Sequence, residues 1–372
     1  MSQSIARQPR LLALVGGRSI PGLLAAEVHM NNWYKGDRWR AEFAQTSDST
    51  FTPAWWADLG GTGPGVQFDL RFSLDGGQSY TSLIIGNVDR VTMDPLTGLI
   101  EAEGRDLSSV FIEAKTQETF LNQTSSQVAQ TLATRHGMTA DVDPTTTLVG
   151  RWYEIDHDHI TLGQFSRTTT EWDLLAYLAG REGFDLYVTG TTLHFRQPVA
   201  STAPAWPVRI QPGQPVVANV TDLRLERALT LAKDIEVWVR SWSAKQGRGF
   251  TKKARAVGAK SASAAQSANQ VGTTTQRYIY VIPNLSEADA QARANAILAD
   301  LSKHERKIEF SAPGDLTLTP RNMVQLTGQG TQFDQLYHVD VVTRRVAFNE
   351  GFTMHVAAKN MDDRRSLQAI PG

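Results

Sequence analysis

The sequence predicts an α+β protein, mainly β, ordered as β, then a small α/β module, then β with a helical insertion. Three observations carry this. Short runs alternating apolar and polar side chains fill residues 8–105; a helical period takes over from residue 106; alternation resumes beyond residue 215, broken by one strong helix.

Taken in order, Leu11 to Val15 is a short apolar run followed by Gly16, Gly17 and Arg18. It is too short for a secretory leader and reads as a first strand. PAWWADLGGTGPG (53–65) is rich in glycine and proline and reads as a long loop. VQFDLRFSL (66–74), SLIIGNVDRVTM (82–93) and LIEAEGRD (99–106) alternate as half-buried strands do. Asp75-Gly76-Gly77 and Asp94-Pro95 mark turns between them.

After Asp106 a short helix is expected through Leu107, Val110 and Phe111. Thr124 or Ser125 can cap a second helix carrying Val128, Leu132 and Ala133 on one face and stopping at Gly137. The stretch RTTTEWDLLAYLAGREGFDLYVTGTTLHFRQP (167–198) is a unit of its own. Thr170 and Asp173 have capping-box spacing, Trp172, Leu175 and Ala179 share a face, and Gly183 suits a left-handed stop. Phe184, Leu186 and Val188 then alternate, Thr189-Gly190 turns the chain, and Leu193 and Phe195 return.

Five prolines in the 18 residues from Pro198 to Pro215 mark a boundary. Strands follow at VVANVTDLRLERAL and DIEVWVRSWSA (234–244). The basic, alanine- and serine-rich stretch at 245–270 has too few large apolar residues for a core and reads as a loop or long excursion. A helix from Ser286 to about Lys303 carries Ala290, Ala294, Ile297, Leu298 and Leu301, and four further alternating runs end the chain.

The 372 residues allow two to four domains, and 41% hydrophobic content allows substantial cores. A formal net charge of −1 gives no strong footprint for nucleic acid or an anionic membrane. No apolar run approaches the roughly 18 residues of a membrane span. The absence of cysteine excludes disulfides, thiolate metal sites and a cysteine nucleophile.

Candidate chemistry is thin. EIDHDHI (154–160) gathers Glu154, Asp156, Asp158, His157 and His159, and the two histidines would share a strand face. A metal needs ligands converging on one point, and no third histidine is near. Glu154 with Asp156, or Glu171 with Asp173, could supply two glycosidase carboxylates, but Asp173 fits the cap better. No G-x-S-x-G elbow occurs, and the run from Gly60 to Gly65 lacks the Lys-Ser/Thr of a phosphate loop. Trp55 and Trp56 could anchor an interface or stack on a sugar. Lys252, Lys253 and Arg255 could meet a phosphate backbone, although a solvated loop or a patch for an acidic subunit suits them better. Glu171 and His194 are the polar groups left over in the helix–hairpin unit. The expected catalytic, cofactor and metal residues are therefore none, and no cofactor is expected.

The ordered motifs say more. Gly86 to Asp89, Gly104 to Asp106, Ser125 to Gly137 and Trp172 to Phe184 together resemble the tail hub proteins of phages and related injection machines. That family includes the hub part of type VI secretion VgrG spike proteins. Pro313-Gly314-Asp315, Gly328, Gly330, Phe333-Asp334, Tyr337 and Val339 resemble its second barrel, so the likeness spans about residues 80–360.

The resemblance implies two similar tube-like β-barrel domains with the α/β module between them. Residues 1–105 would form the first barrel, completed by strands from 205–230 if needed. Residues 106–200 would be the module, and 201–365 the second barrel with an insertion at about 245–304. It implies a homotrimeric, pseudo-sixfold symmetry adapter in a virion tail baseplate, assembled in the host cytoplasm. Its partners would be a tail tube or distal tail protein, a separate spike protein (the chain stops soon after its last expected strand), neighbouring baseplate or wedge proteins and a tape measure protein. No membrane insertion or specific nucleic-acid binding is expected. The expected role is structural and not enzymatic; a tail-associated cell-wall hydrolase and a receptor- or carbohydrate-binding tail protein are the alternatives.

Overall fold

The computed structural model describes residues 7–59, 66–115, 120, 122–146, 148–149, 170–198, 204–228, 234–243, 248–256, 275–282, 285–302, 305–348, 350–360 and 367–370. These residues form an α+β fold, mainly β, around one large mixed sheet of 14 strands.

The first part supplies β1 (Arg10–Val15), β2 (Arg18–Ser19), β3 (Leu23–Asn31), β4 (Arg38–Ala44), helix α1 (Pro53–Ala57), β5 (Gln67–Ser73), β6 (Thr81–Asp94) and β7 (Leu99–Asp106). They pair antiparallel in the order β3-β4-β7-β6-β5-β1-β2. Alternate residues Phe68, Leu70 and Phe72 point inward and join Ala13, Trp39, Phe43 and Ile100 in one core. Trp39 is admitted by two glycines. A Cβ on Gly104 would stand 1.8 Å from the Asn87 carbonyl oxygen, and one on Gly86 would stand 2.6 Å from Trp39 Nε1.

Helix α1 departs from the expected loop. Thr52 accepts from the Trp55 amide at 3.2 Å and Pro53 takes the first turn, a start signal that the glycine-rich composition around it obscures. Trp56 is buried against Phe43 and Phe68, while Trp55 stands edge-on to Phe51. The tryptophan pair thus packs into the first core and is no exposed anchor.

The module comprises α2 (Ser109–Glu113), β8 (Gln123–Thr124), α3 (Ser125–Arg135), β9 (Thr139–Val142), β10 (Leu148–Val149), α4 (Glu171–Glu182), β11 (Asp185–Thr189) and β12 (Thr192–Arg196). Thr124 with Gln127, and Thr170 with Asp173, form reciprocal capping boxes. Gly183 ends α4 at φ 72°. Trp172, Leu174, Leu175, Leu178 and Ala179 are buried against the β11–β12 hairpin and α3.

The remainder comprises β13 (Trp206–Gln211), β14 (Val217–Ala218), β15 (Thr221–Arg227), β16 (Asp234–Ser243), β17 (Arg248–Ala256), β18 (Thr275–Val281), α5 (Glu287–Ser302), β19 (Arg306–Pro313), β20 (Met323–Thr327), β21 (Leu336–Ala347), β22 (Gly351–Asn360) and β23 (Leu367–Ile370). Here the pairing runs β13-β20-β21-β22-β19-β15. The segment 217–227 pairs with β13 at its start and with β19 further on. Strands from 205–230 thus find partners in the second half of the chain and not among β1–β7. The halves meet where β21 lies antiparallel to β3, from Val341 opposite Asn31 to Ala347 opposite Ala25.

Beside this sheet stands a satellite of β18-β16-β17-β23 backed by α5. Its core is Ile235, Val237, Val239 and Ala254 against Ala290, Ala294 and Leu298. Residues 248–256, expected within a loop, are strand β17. Among the described side chains Phe250 and Ala254 are the apolar ones that pack inward there, while Lys252 reaches Glu287 of α5 at 2.7 Å, so the alternation is faint in sequence.

Candidate functional site

The most constrained polar cluster lies where the first sheet region, the second and the module meet. The loop at 32–37 joins β3 to β4 and is gripped by the module. Trp172 Nε1 donates to the Tyr34 carbonyl at 2.7 Å, and the Tyr34 hydroxyl donates to the Phe184 carbonyl at 2.7 Å. Tyr34 holds the left-handed region at φ 53° to do this. Asp37 Oδ1 accepts from the Asn31 amide at 2.9 Å and from Asn31 Nδ2 at 3.2 Å. The Asp106 amide donates to the Asp37 carbonyl at 2.9 Å, and the Asp106 carboxyl accepts from the Ser108 amide at 3.2 Å and from its hydroxyl. Gly36 allows this approach, since a Cβ there would stand 2.5 Å from Ser108 Oγ.

From the second region Arg321, at φ 89°, lays its guanidinium 3.6 Å from the centre of the Tyr187 ring and reaches the Asn31 carbonyl at 3.5 Å. Burial, with Asp106 alongside, pushes Asp37 up to about 8. Burial also raises Asp106, against the pull of its Ser108 hydrogen bonds. Arg321 is lowered by burial, opposed by Tyr187 and the aspartates. These groups hold a joint. Neither aspartate lines the open cleft of about 500 Å³ over β3, β4 and β7, whose Arg105 is bound to Asp89 at 2.6 Å.

The residues singled out in sequence have structural partners. Glu171 is buried, 2.9 Å from Arg135 Nη1 and 2.6 Å from His136 Nε2, and ties α4 to α3. Asp173 is the cap partner of Thr170. His194 pairs with Asp141 at 2.8 Å and stacks on Tyr187 with ring centres 4.4 Å apart; burial lowers its pKa despite Asp141. Lys252, Lys253 and Arg255 lie on β17, Lys252 facing α5. The cluster at 154–160 and the run at 60–65 lie outside the described residues. Among the described residues no group of three or more His, Cys, Asp or Glu could hold a metal ion.

Sequence reasoning misses Asp37, Arg321 and Arg344. Fully buried Arg344 donates from Nε to the Asp315 carbonyl at 2.6 Å and from Nη2 to the Leu318 carbonyl, and burial lowers it to about 10. Asp37 and Asp106 are far apart in the chain, so no local pattern announces the pair. Asp106 itself lies in the Gly104–Asp106 motif.

One surface feature is also non-local. At one end of the adjacent strands β21, β3, β4 and β7 stand exposed Phe348, Leu24, Leu99 and, in the turn before β7, Leu96. Phe348 is 97% and Leu96 95% exposed, and the Phe348 amide donates to the Leu24 carbonyl at 3.3 Å.

The fold is that of known tail proteins. The tail protein from Neisseria meningitidis MC58 is 14% identical and superposes with a TM-score of 0.68 over 95% of this chain and 96% of that one. The 43 kDa tail protein of prophage MuSo2 from Shewanella oneidensis is 14% identical, with a TM-score of 0.66 over 94% and 98%. Escherichia coli c3393 is a component of the type VI secretion system with structural similarity to T4 bacteriophage tail proteins gp27 and gp5. It is 11% identical, with a TM-score of 0.56 over 95% and 77%. Phage tail proteins and a type VI secretion component thus share the fold that the ordered motifs resemble. The chain belongs to the Alg8 N-terminal domain family, whose model matches residues 80–347. No curated protein matches it.

Proposed function

We propose that the chain is a structural, non-enzymatic hub of a phage or tailocin-like tail. In this reading three copies form a pseudo-sixfold ring in the baseplate that joins the tail tube to the spike. Each chain contributes two similar barrels, residues 1–105 and 201–365, with the α/β module at 106–200 as a clamp. The pairing of 217–227 with β13 at its start and with β19 further on supports a barrel-like second unit. A ring needs repeated, complementary edges, and two joined units per chain provide them.

The observation that carries the reading is the apolar rim. Phe348 comes from the second region and Leu24, Leu99 and Leu96 from the first, so a partner seated there touches both units at once. Exposed large apolar side chains brought to one end of the sheet from both regions are candidates for a contact site. The test is co-assembly with the tube and spike proteins of the same particle, followed by sedimentation. Wild-type chain should run as a trimer and bind one of them through the rim. F348D with L96D should remain trimeric and lose that partner. A monomer at assembly concentrations, or unchanged partner binding by the double variant, would overturn the reading.

A further inference from the structure

The face of the satellite sheet turned away from α5 combines aromatic rings, a cluster of cations and an open strand edge. Ile235, Val237 and Val239 of β16 point at α5, so Glu236, Trp238, Arg240 and Trp242 point outward. The register brings Arg255, Lys253 and Thr251 beside them from β17, and Arg277, Ile279 and Val281 from β18. Among the described side chains, four cations therefore share this face with one carboxylate, Glu236, on a chain whose net charge is −1. The Arg277 guanidinium lies 4.1 Å from the Trp238 ring centre, Lys253 Nζ 4.7 Å and the Arg240 guanidinium 6.0 Å.

Along this face runs the open edge. β17 carries β23 on its outer side, whereas β18 pairs only with β16 among the described residues. The backbone groups of its seven residues that turn away from β16 have no strand partner among the described residues, and Val281 is 75% exposed near half-exposed Ile279. An apolar edge of this kind is a template for another strand.

We infer that β18 is a docking edge for an extended, acidic segment of a partner protein, which adds as a fifth strand and sets its carboxylates among Arg277, Arg240 and Lys253. The charge on the face selects an anion. Between the two polyanionic classes, the geometry selects a peptide. The cations already lie over the Trp238 ring, so a nucleobase would have to displace them to stack there. A free backbone ladder flanked by Ile279 and Val281 serves a peptide strand and offers nothing comparable to a phosphodiester chain. The site stands whether or not the chain is part of a tail.

The test uses the full chain and three probes: a seven-residue peptide alternating glutamate and valine, the same peptide with lysine for glutamate, and oligothymidylate. Calorimetry gives affinity, and hydrogen exchange reads protection across 275–281. The glutamate peptide should bind, protect those amides and weaken with salt, and the lysine peptide should not bind. R277E combined with R240E should lower affinity by about tenfold or more while far-ultraviolet circular dichroism is unchanged. V281D should weaken the same peptide without changing the charge-selecting arginines. Binding of oligothymidylate without the glutamate peptide would make the face a nucleic-acid surface and overturn the inference. Failure of all three probes, or binding without protection of 275–281, would overturn it as well.

Discussion

The α/β module and the satellite sheet are both small sheet-and-helix units set against the large sheet, but they are fastened differently. The module borrows Ile85 of β6 for its core and closes around the loop at 32–37 with two partly buried hydrogen bonds. Among the described residues, the core of the satellite comes from residues 235–301. Its connections leave and re-enter at a charged post. Buried Glu305 accepts from Arg227 at 3.1 Å and forms an ion pair with Arg306 at 3.2 Å, and its carbonyl accepts from the Ala228 amide at 2.7 Å. Shared apolar packing fixes one unit to the frame. A polar anchor holds the other and, among the described residues, leaves a whole face and an edge uncovered.

The contrast can be broken at its strongest point by W172A, which removes a core side chain and the bond to Tyr34 together. A loss of about 3–5 kcal/mol in denaturant-derived stability is expected, with hydrogen exchange rising in the module first. E305A should cost about 3 kcal/mol, because it strands the arginines beside it. Exchange at 235–239 should stay unchanged, and a coupled rise there would show that the satellite is not packed independently.

Acid titration sharpens the comparison, since the joint of the module contains Asp37 and Asp106. A carboxyl raised in the folded state burdens folding once the unfolded chain ionises. That burden is absent below about pH 4 and grows as pH climbs towards the folded value of Asp37. D37N should therefore flatten the fall in stability between about pH 4 and pH 8, by about 2 kcal/mol or more at the upper end. Parallel melting curves for wild type and D37N would contradict this. The smallest effect is that of T170A, about 1 kcal/mol for the lost cap at the start of α4, read from thermal melts.

Local signals make some elements plain from the amino-acid sequence alone. The box at Thr170 and Asp173, Gly183 and the alternation from Phe184 to Phe195 are adjacent in sequence, and so are the alanines and leucines of α5. Helix α1 is hidden because it is short and sits in glycine- and proline-rich surroundings. β17 is hidden because its inward positions include a lysine stem and an alanine. The joint and the rim are illegible for a deeper reason. Asp37, Asp106, Tyr187 and Arg321 meet only after three regions have folded, and Leu24, Leu96 and Phe348 reach the same end of the sheet only once the two sheet regions join. Gly86 and Gly104 are visible as motif glycines, but the tryptophan they make room for lies outside the motif.

The ladder between β3 and β21 bears on how the molecule carries load. Seven residue pairs join the two sheet regions, from Asn31 with Val341 to Ala25 with Ala347. Antiparallel bonds lie across the strands. A pull along the strand axis therefore strains all of them in shear, whereas a pull across it would open them one after another like a zipper. The joint between the regions is stiff in one direction and weak at right angles to it.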